Sequence, residues 1–367
     1  RSELSISHGQ FGSLYASATL LSSFILVWIG KKIDDVSILK FALFVITFLS
    51  ISSFIFSKIS SVTFLFIGIF LMRLSGQGLM SHTATTTIAR YFEKSRGRAL
   101  STTWLGLSLA EFILPLLVIY LLTIVNWQNI WISISFIIIV ILPLASFLLV
   151  KNLNIDSREI SSNKNMKEDK IKQWTRLEVI KDYKFYIVCS NMLAMPWIAT
   201  GVFVYQSFIL SSKGWGPFII AQSFMVYSVL SVITLFFSGF LIDKFTSRKL
   251  LFYMNIPLLL SAGVLFYFDN PISSFFFLGL IGISNGLANV LGSSTWAELY
   301  GVKYIGSIKA LTTALMVFST AFGTALFGLL IDIGYSIEQI SLVSGTYIFI
   351  SLILLFLIRN KLKPKNI

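Results

Sequence analysis

The chain has 367 residues, of which 56% are hydrophobic and only 12% are charged, and its mean hydropathy is +0.83. These values exclude an ordinary soluble domain and indicate a protein that crosses the membrane several times. The net charge of +13 does not indicate nucleic-acid binding, because the basic residues form short clusters between apolar runs and no continuous basic face.

Uncharged runs long enough to cross a ~30 Å hydrocarbon core recur along almost the whole chain. Five predicted helices precede a hydrophilic stretch, at about 11–30, 38–57, 63–89, 97–122 and 128–150. Six more follow it, at about 184–210, 217–242, 248–268, 272–297, 306–331 and 339–358. The sequence therefore predicts an all-α membrane protein with eleven spanning helices.

The only long hydrophilic stretch separates two membrane halves. From Lys151 to Lys184 it mixes basic and acidic residues, so we interpret 151–183 as a linker between bundles at 1–150 and 184–367. Its end, from Trp174 to Lys184, fits an amphipathic helix on the membrane surface and fits a solvated tether equally well.

The basic residues predict the orientation of the chain. We assigned successive loops to alternate sides of the membrane and counted the Lys and Arg residues on each side. All of the 29 fall on one side, except Arg1, Lys58, Lys213 and the intrahelical Arg73. The positive-inside rule makes that side, with the linker and the C-terminus, cytoplasmic. We expect a multi-pass protein of the inner or plasma membrane. Because an odd number of helices puts Arg1 outside, we also expect one further helix before the first.

Two charged residues lie far from the ends of predicted helices. Arg73 lies about 17 residues, or roughly 25 Å of helix, before the basic loop that begins at Arg90. Glu111 lies about 13 residues, or roughly 20 Å, after that loop. Both are deep in the bilayer, where a charge is expected to be functional and to have a partner or a water-filled cavity nearby.

The chemistry of the two residues differs. Arg73 cannot lose its proton, so it is either a fixed anion-binding charge or the permanent partner of an acid. Glu111 can change its charge, which suits a proton carrier, and a silent or paired glutamate is the alternative. His82 is half a helical turn out of phase with Arg73, so we expect it to be structural and to face a different wall.

The two halves share a short motif. Gly30 and Asp34, spaced Gly-x3-Asp after a helix, match Gly239 and Asp243 at a constant offset. The same offset aligns glycines in a second loop, so we infer duplicated halves, an arrangement used by secondary transporters.

With these motifs the sequence resembles the major facilitator superfamily over essentially its whole length. The loop signature of that family, Gly-x3-Asp-(Arg/Lys)-x-Gly-x-(Arg/Lys)-(Arg/Lys), is matched in the second half, with Thr246 at the usual glycine. The first-half copy is more degenerate, because Asp35 replaces the usual base. A second signature of the family is matched by Arg73 and the glycines that follow it. The resemblance implies a major facilitator fold of two pseudo-symmetric six-helix bundles, with the first helix missing here.

The resemblance also implies a cytoplasmic gate. In it, Asp34 and Asp243 lie against helix N-termini of the opposite half, and basic neighbours complete a latch that opens as the halves rock. Alternatively, the basic residues only fix the topology. The expected gate residues are Gly30, Asp34, Arg96, Arg98, Gly239, Asp243, Lys244, Arg248 and Lys249.

Within the superfamily, the segments RYFEKSRGRALS, WTRLEVIKDYKFYIV and AELYGVKYIGSIKA look most like the monocarboxylate and oxalate/formate branch. Our main prediction is a secondary transporter that moves a small organic anion by alternating access, coupled to H⁺, with Na⁺ as the other possible ion. The expected pathway residues are Arg73, Gln77, Glu111, Trp197, Gln206, Asn285 and Asn289. For the last four, packing or hydrogen bonding between helices is the alternative role. Pro196 predicts a kink next to Trp197.

Two other functions stay open. One is a carrier for a neutral or cationic solute, in which Arg73 and Glu111 only neutralise each other. The other is a sensor that has lost transport. The sequence contains no zinc helix, phosphate loop or nucleophile elbow, so we expect neither an enzyme nor a bound cofactor or metal. We expect a monomer in the lipid bilayer without nucleic-acid partners.

Overall fold

The computed structural model describes residues 4–34, 36–84, 87, 96–150, 172–301 and 305–362. Within these ranges, eleven helices are long and apolar enough to cross a membrane. This confirms the predicted all-α membrane fold and the predicted number of spans.

The first five helices are α1 (His8–Lys31), α2 (Ile38–Phe56), α3 (Val62–Met72), α4 (Arg96–Leu122) and α5 (Trp127–Val150). A short helix, α6 (Arg176–Lys181), precedes the rest. The remaining helices are α7 (Tyr183–Val204), α8 (Gln206–Lys213), α9 (Pro217–Phe245), α10 (Ser247–Met254), α11 (Ile256–Tyr267), α12 (Ser273–Tyr300), α13 (Ile305–Asp332) and α14 (Ile337–Ile358).

Contacts divide the chain into two compact units. The first unit comprises Arg1–Leu107 with Tyr120–Met166, and the second comprises Ser108–Ile119 with Lys167–Ile367. The middle of α4 therefore groups with the second unit. The predicted bundle boundaries at 150 and 184 stay predictions.

Within the first unit, small and polar residues bring helices together. Ser50 of α2 and Ser135 of α5 exchange hydrogen bonds, with each hydroxyl donating to the carbonyl oxygen of the other residue at 2.9 and 2.8 Å. Such hydrogen bonds satisfy side-chain donors that lipid cannot. A buried apolar cluster adds to the packing of this unit: Ile33, Phe41, Val45, Leu74 and Leu79.

Within the second unit, glycines allow α9 and α12 to approach closely. A Cβ atom at Gly282 would lie 2.3 Å from the carbonyl oxygen of Tyr227, and one at Gly286 would lie 2.6 Å from that of Ser231. Asn285 of the same helix donates from Nδ2 to Ser231 Oγ at 3.0 Å. The two backbones thus pack at a distance that a larger residue would prevent.

Two predicted helices are broken in the structure. The predicted helix 184–210 continues through Pro196 and breaks at Tyr205, between α7 and α8. The Tyr205 hydroxyl donates to the carbonyl oxygen of Thr324 at 3.0 Å, which fixes this break. The predicted helix 248–268 breaks at Asn255, just before Pro257, whose missing N–H favours a helix start there.

An ion cluster around the buried Lys213 joins three segments of the second unit. Lys213, at the end of α8, lies 2.5 Å from Asp269 Oδ1 and 2.7 Å from Glu338 Oε1, and its side chain is 1% exposed. Asp269 precedes α12, and Glu338 lies in the first turn of α14. Burial alone would lower the pKa of Lys213, but the hydrogen bonds to the two carboxylates outweigh it and raise the pKa. Lys213 is therefore charged at any physiological pH.

Candidate functional site

Arg73 lies at the start of a π-helix in the first unit. The segment Arg73–Met80 continues α3 with i→i+5 hydrogen bonding, a rare winding that is frequent at functional sites. Arg73 Nε donates to Thr19 Oγ1 of α1 at 3.1 Å. The guanidinium carbon lies 5.1 Å from the ring centroid of Tyr15, one turn earlier on α1, in cation–π geometry.

The rest of the Arg73 guanidinium has no hydrogen-bond acceptor among the described residues of the first unit. Within the described residues of the first unit, Thr19 is the only hydrogen-bond acceptor that Arg73 has. A guanidinium has five N–H donors, so the four on the two Nη atoms remain. These form a planar fork that matches a carboxylate or phosphate in bidentate geometry.

His82 faces the same helix as Arg73, which differs from our expectation. Its Nε2 lies 3.1 Å from the carbonyl oxygen of Gly30, a hydrogen bond in which the ring nitrogen donates. Thr19 and Gly30 are roughly three turns apart on α1 and so share one face. The π-helix explains the difference, because each residue of an i→i+5 winding advances by a smaller angle than in an α-helix.

The other first-unit prediction, Gln77, lies within the π-helix and is exposed. Glu111 belongs to the second unit and is half-buried. The segment that carries Glu111 packs against α9, in which Tyr227 is buried. Next to it, the Ser228 hydroxyl donates to the carbonyl oxygen of Ser108, one turn before Glu111 on α4. This contact holds the glutamate segment against α9.

The remaining predicted pathway residues have different surroundings in the second unit. Trp197 is 3% exposed, and its ring packs edge-on against Phe322, Phe327 and Tyr347. Asn285 is hydrogen-bonded to α9, as described above. Gln206 is half-buried at the start of α8, and Asn289 is exposed on α12. Their contact with a solute stays a prediction.

The predicted gate is described in part. The side chains of Asp34, Arg96, Arg98 and Asp243 lie outside the described part of the structure. Gly30 is buried, and a Cβ atom there would lie 3.3 Å from His82 Nε2. Gly239 has open space around it, and Lys244 and Lys249 are exposed. The role of all these residues as a gate stays a prediction.

Arg248 is paired within the second unit. Its Nε lies 3.1 Å from Glu298 Oε1, and its Nη1 donates to the carbonyl oxygen of Leu362 at 3.2 Å. Glu298 Oε2 also accepts from the backbone N–H of Ser247 at 2.9 Å and from the Ser247 hydroxyl. The carboxylate thus caps the N-terminus of α10 and ties the loop to the end of α12.

Thr246 adopts the conformation that a glycine normally supplies. Its φ is 70° and its ψ is 148°, close to a region that is essentially confined to glycine. The side chain is β-branched, and its hydroxyl is buried without a hydrogen-bond partner among the described residues. The family signature has glycine here, and the backbone gives the physical reason.

We expect Thr246→Gly to stabilise the protein by about 1 kcal/mol, because relief of backbone strain exceeds the added flexibility of the unfolded chain. Thermal unfolding in detergent measures this as a higher melting temperature. Thr246→Val retains a β-branched side chain, so its gain in stability should be smaller. An equal gain in both variants would show that the unpaired hydroxyl, and not the backbone, is the source of the strain.

Residues 1–324 match the family model described as Major Facilitator Superfamily. The chain belongs to this superfamily. It is therefore a multi-pass membrane transporter and not an enzyme. The match is to the superfamily as a whole, so the monocarboxylate and oxalate/formate branch stays a prediction.

Two solved structures of a bacterial homolog of the human lysosomal transporter Spinster are similar to this superfamily member. The match to the inward-facing unoccupied form has a TM-score of 0.67 at 14% sequence identity. It covers 98% of this chain and 91% of the chain in that structure. The inward-facing occupied form has a TM-score of 0.65 at 15% identity and covers 98% and 90%. At these identities the similarity shows the fold alone. A comparison with curated proteins found no match.

Several residues around the superfamily motifs were not predicted from sequence. Tyr15 and Thr19 contact Arg73, and Glu298 pairs with Arg248. The one available signal was that Tyr15 and Thr19 are polar residues one turn apart in an apolar helix. No group of three His, Cys, Asp or Glu side chains in the described ranges is arranged to hold a metal ion.

Proposed function

We propose that this transporter moves a small organic anion of the monocarboxylate class by alternating access, coupled to protons. The observation that carries the proposal is the state of Arg73. Thr19 accepts from its Nε and its guanidinium lies over the ring of Tyr15, while its two Nη atoms have no protein acceptor in the described part of the first unit. A half-buried guanidinium with four donors that lack a partner among these described residues favours an anionic ligand, since unpaired buried donors are costly.

Glu111 is our candidate for the proton carrier. It is a half-buried acid within a spanning helix, and its segment packs against α9, in which Tyr227 is buried. A carboxyl group that can be charged or neutral couples proton movement to the solute only if it changes state during the cycle.

The proposal is tested by uptake of radiolabelled short-chain mono- and dicarboxylates into proteoliposomes with an imposed pH gradient. We expect Arg73→Gln to lower anion uptake at least about 100-fold, because it removes two charge-assisted hydrogen bonds. Arg73→Lys keeps the charge but not the fork, so it should raise KM by roughly tenfold. Glu111→Gln should remove the dependence of uptake on the pH gradient.

Lys58→Gln is the matched control, since it removes a positive charge from the same unit at the end of α2, where Lys58 lies over the ring of Phe54. It should leave uptake unchanged. Unaltered anion uptake by folded Arg73→Gln protein would refute the anion-binding role. Wild-type uptake of a neutral or cationic solute that Arg73→Gln spares would favour the alternative carrier. No flux of any solute by the wild type would favour a sensor.

A further inference from the structure

The short helix α6 lies directly before the membrane-spanning helix α7. Only Asp182 separates its last residue, Lys181, from the membrane-spanning helix α7. Tyr183 and Tyr186, in the first turn of α7, are 51% and 54% exposed. Exposed tyrosines at the end of a span are typical of the membrane–water interface. The Tyr186 hydroxyl donates to the carbonyl oxygen of Ile180 in α6 at 2.9 Å, so α6 lies beside this aromatic pair.

α6 is firmly attached to the second unit. Val179 is fully buried in its apolar core, and the backbone N–H of Trp174 donates to the carbonyl oxygen of Tyr300 at 3.0 Å. A capping box between Thr175 and Glu178 starts the helix. The helix therefore presents one fixed face inward and the other outward.

The outward face combines an apolar residue with basic ones. Leu177 is 72% exposed, although it lies in a helix anchored by the nearby Val179. Arg176 and Lys181 are also exposed. This is the composition of an interfacial helix that inserts an apolar side chain between headgroups.

The acids nearby are already engaged within the protein. Glu178 lies 2.7 Å from Lys172, and hydrogen bonds from Lys172 and Thr175 lower its pKa to about 2. Asp182 accepts from the Tyr300 hydroxyl at 3.1 Å. Among the residues that the structure describes, neither Arg176 nor Lys181 has a carboxylate partner. Within the described residues, this surface therefore has positive charge without an acidic partner beside the start of a membrane span.

We propose that the outward surface of α6, formed by Arg176, Leu177, Lys181 and the rings of Tyr183 and Tyr186, binds an anionic phospholipid of the cytoplasmic leaflet. The basic side chains contact the headgroup phosphate, and Leu177 and the tyrosines contact the upper acyl chains. The proposal goes beyond the proposed transport function and depends on the orientation predicted from the basic loops.

The test uses the full chain in micelles that contain equal amounts of phosphatidylglycerol and phosphatidylcholine, with retained lipids counted by native mass spectrometry. The wild type should retain phosphatidylglycerol preferentially. Arg176→Gln with Lys181→Gln should lower that preference by roughly tenfold, because each basic residue at the surface attracts anionic lipid. The charge-conserving pair Arg176→Lys with Lys181→Arg should retain it.

Lys58→Gln with Lys361→Gln removes the same charge elsewhere and should leave the preference unchanged. If the Arg176 and Lys181 double variant does not fold, Leu177→Ser provides a second test and should lower phosphatidylglycerol retention without any change of charge. An unchanged preference in the folded double variant, or an equal loss in the Lys58 and Lys361 pair, overturns the proposal. Anion uptake is measured separately, so either conclusion can fail without the other.

Discussion

Neutralising both acids around Lys213 should destabilise the protein more than removing the lysine itself. Asp269→Asn with Glu338→Gln leaves a charged ammonium whose side chain is 1% exposed without a counter-charge, which costs about 3 kcal/mol or more. Lys213→Met should cost roughly 1 kcal/mol, because Met fills the space of the lysine stem while the carboxylates regain water. Asp269 is 77% exposed and Glu338 35% exposed, so both can be solvated.

The triple variant provides the internal control. Once Lys213 is replaced by Met, neutralising the two acids leaves no buried charge, so the triple variant should melt close to Lys213→Met alone. This is a strongly non-additive cycle of the kind expected for residues in direct contact. Additive losses, or a greater loss in Lys213→Met than in the acid pair, would contradict a buried-charge origin of the stability. Thermal unfolding of purified variants in one detergent decides between these results.

A single methyl group at Gly282 should be equally damaging. Its Cβ atom would lie 2.3 Å from the carbonyl oxygen and 3.0 Å from the Cα atom of Tyr227. Both are backbone atoms, which cannot turn away as a side chain can, so α9 and α12 must separate. We expect Gly282→Ala to cost about 3 kcal/mol or to prevent accumulation of folded protein. Gly323→Ala should behave alike, because its Cβ atom would lie 2.1 Å from the Trp197 carbonyl oxygen.

Gly263→Ala is the matched control for both substitutions. Gly263 lies within α11, and nothing lies within 4 Å of the position that its Cβ atom would take. Alanine there should stabilise the helix by about 1 kcal/mol, since glycine is the weaker helix former. If alanine stabilises the protein at Gly263 and destabilises it at Gly282, the cost at Gly282 is due to close packing. A tolerated Gly282→Ala would show that the two helices are not held this closely.

The spans could be predicted from sequence because their cause is local. Hydrophobic length and flanking charge determine where a helix enters and leaves the bilayer, and the eleven observed spans follow the predicted runs. The breaks at Tyr205 and Asn255 could not be predicted equally well. Pro196 does not end the helix, which continues through it, so a kink there stays a prediction. No helix-breaking residue occurs at Tyr205. The break there depends on a contact with Thr324, which is distant in the sequence.

The candidate site shows the same limit. Arg73 and Glu111 were predicted because a charge in hydrocarbon is costly wherever it lies. The partners were not predicted, because Thr19 meets Arg73 only through the packing of α1 against the π-helix. Glu298 likewise reaches Arg248 from the far end of another helix. A residue's burial cost can be estimated from its neighbours in sequence, whereas the identity of its partner depends on the tertiary fold.

The π-helix between Arg73 and Met80 has a consequence for homology modelling. If the corresponding helix of a template is purely α-helical, the side chains after Arg73 are placed in the wrong directions. This happens even when the alignment has no gap. His82 shows the size of the error, since an α-helical register turns it away from α1 while the hydrogen bond with Gly30 places it there. The transfer of lining residues from a relative by alignment should therefore stop at Arg73. Beyond Arg73, the lining residues should be assigned from contacts.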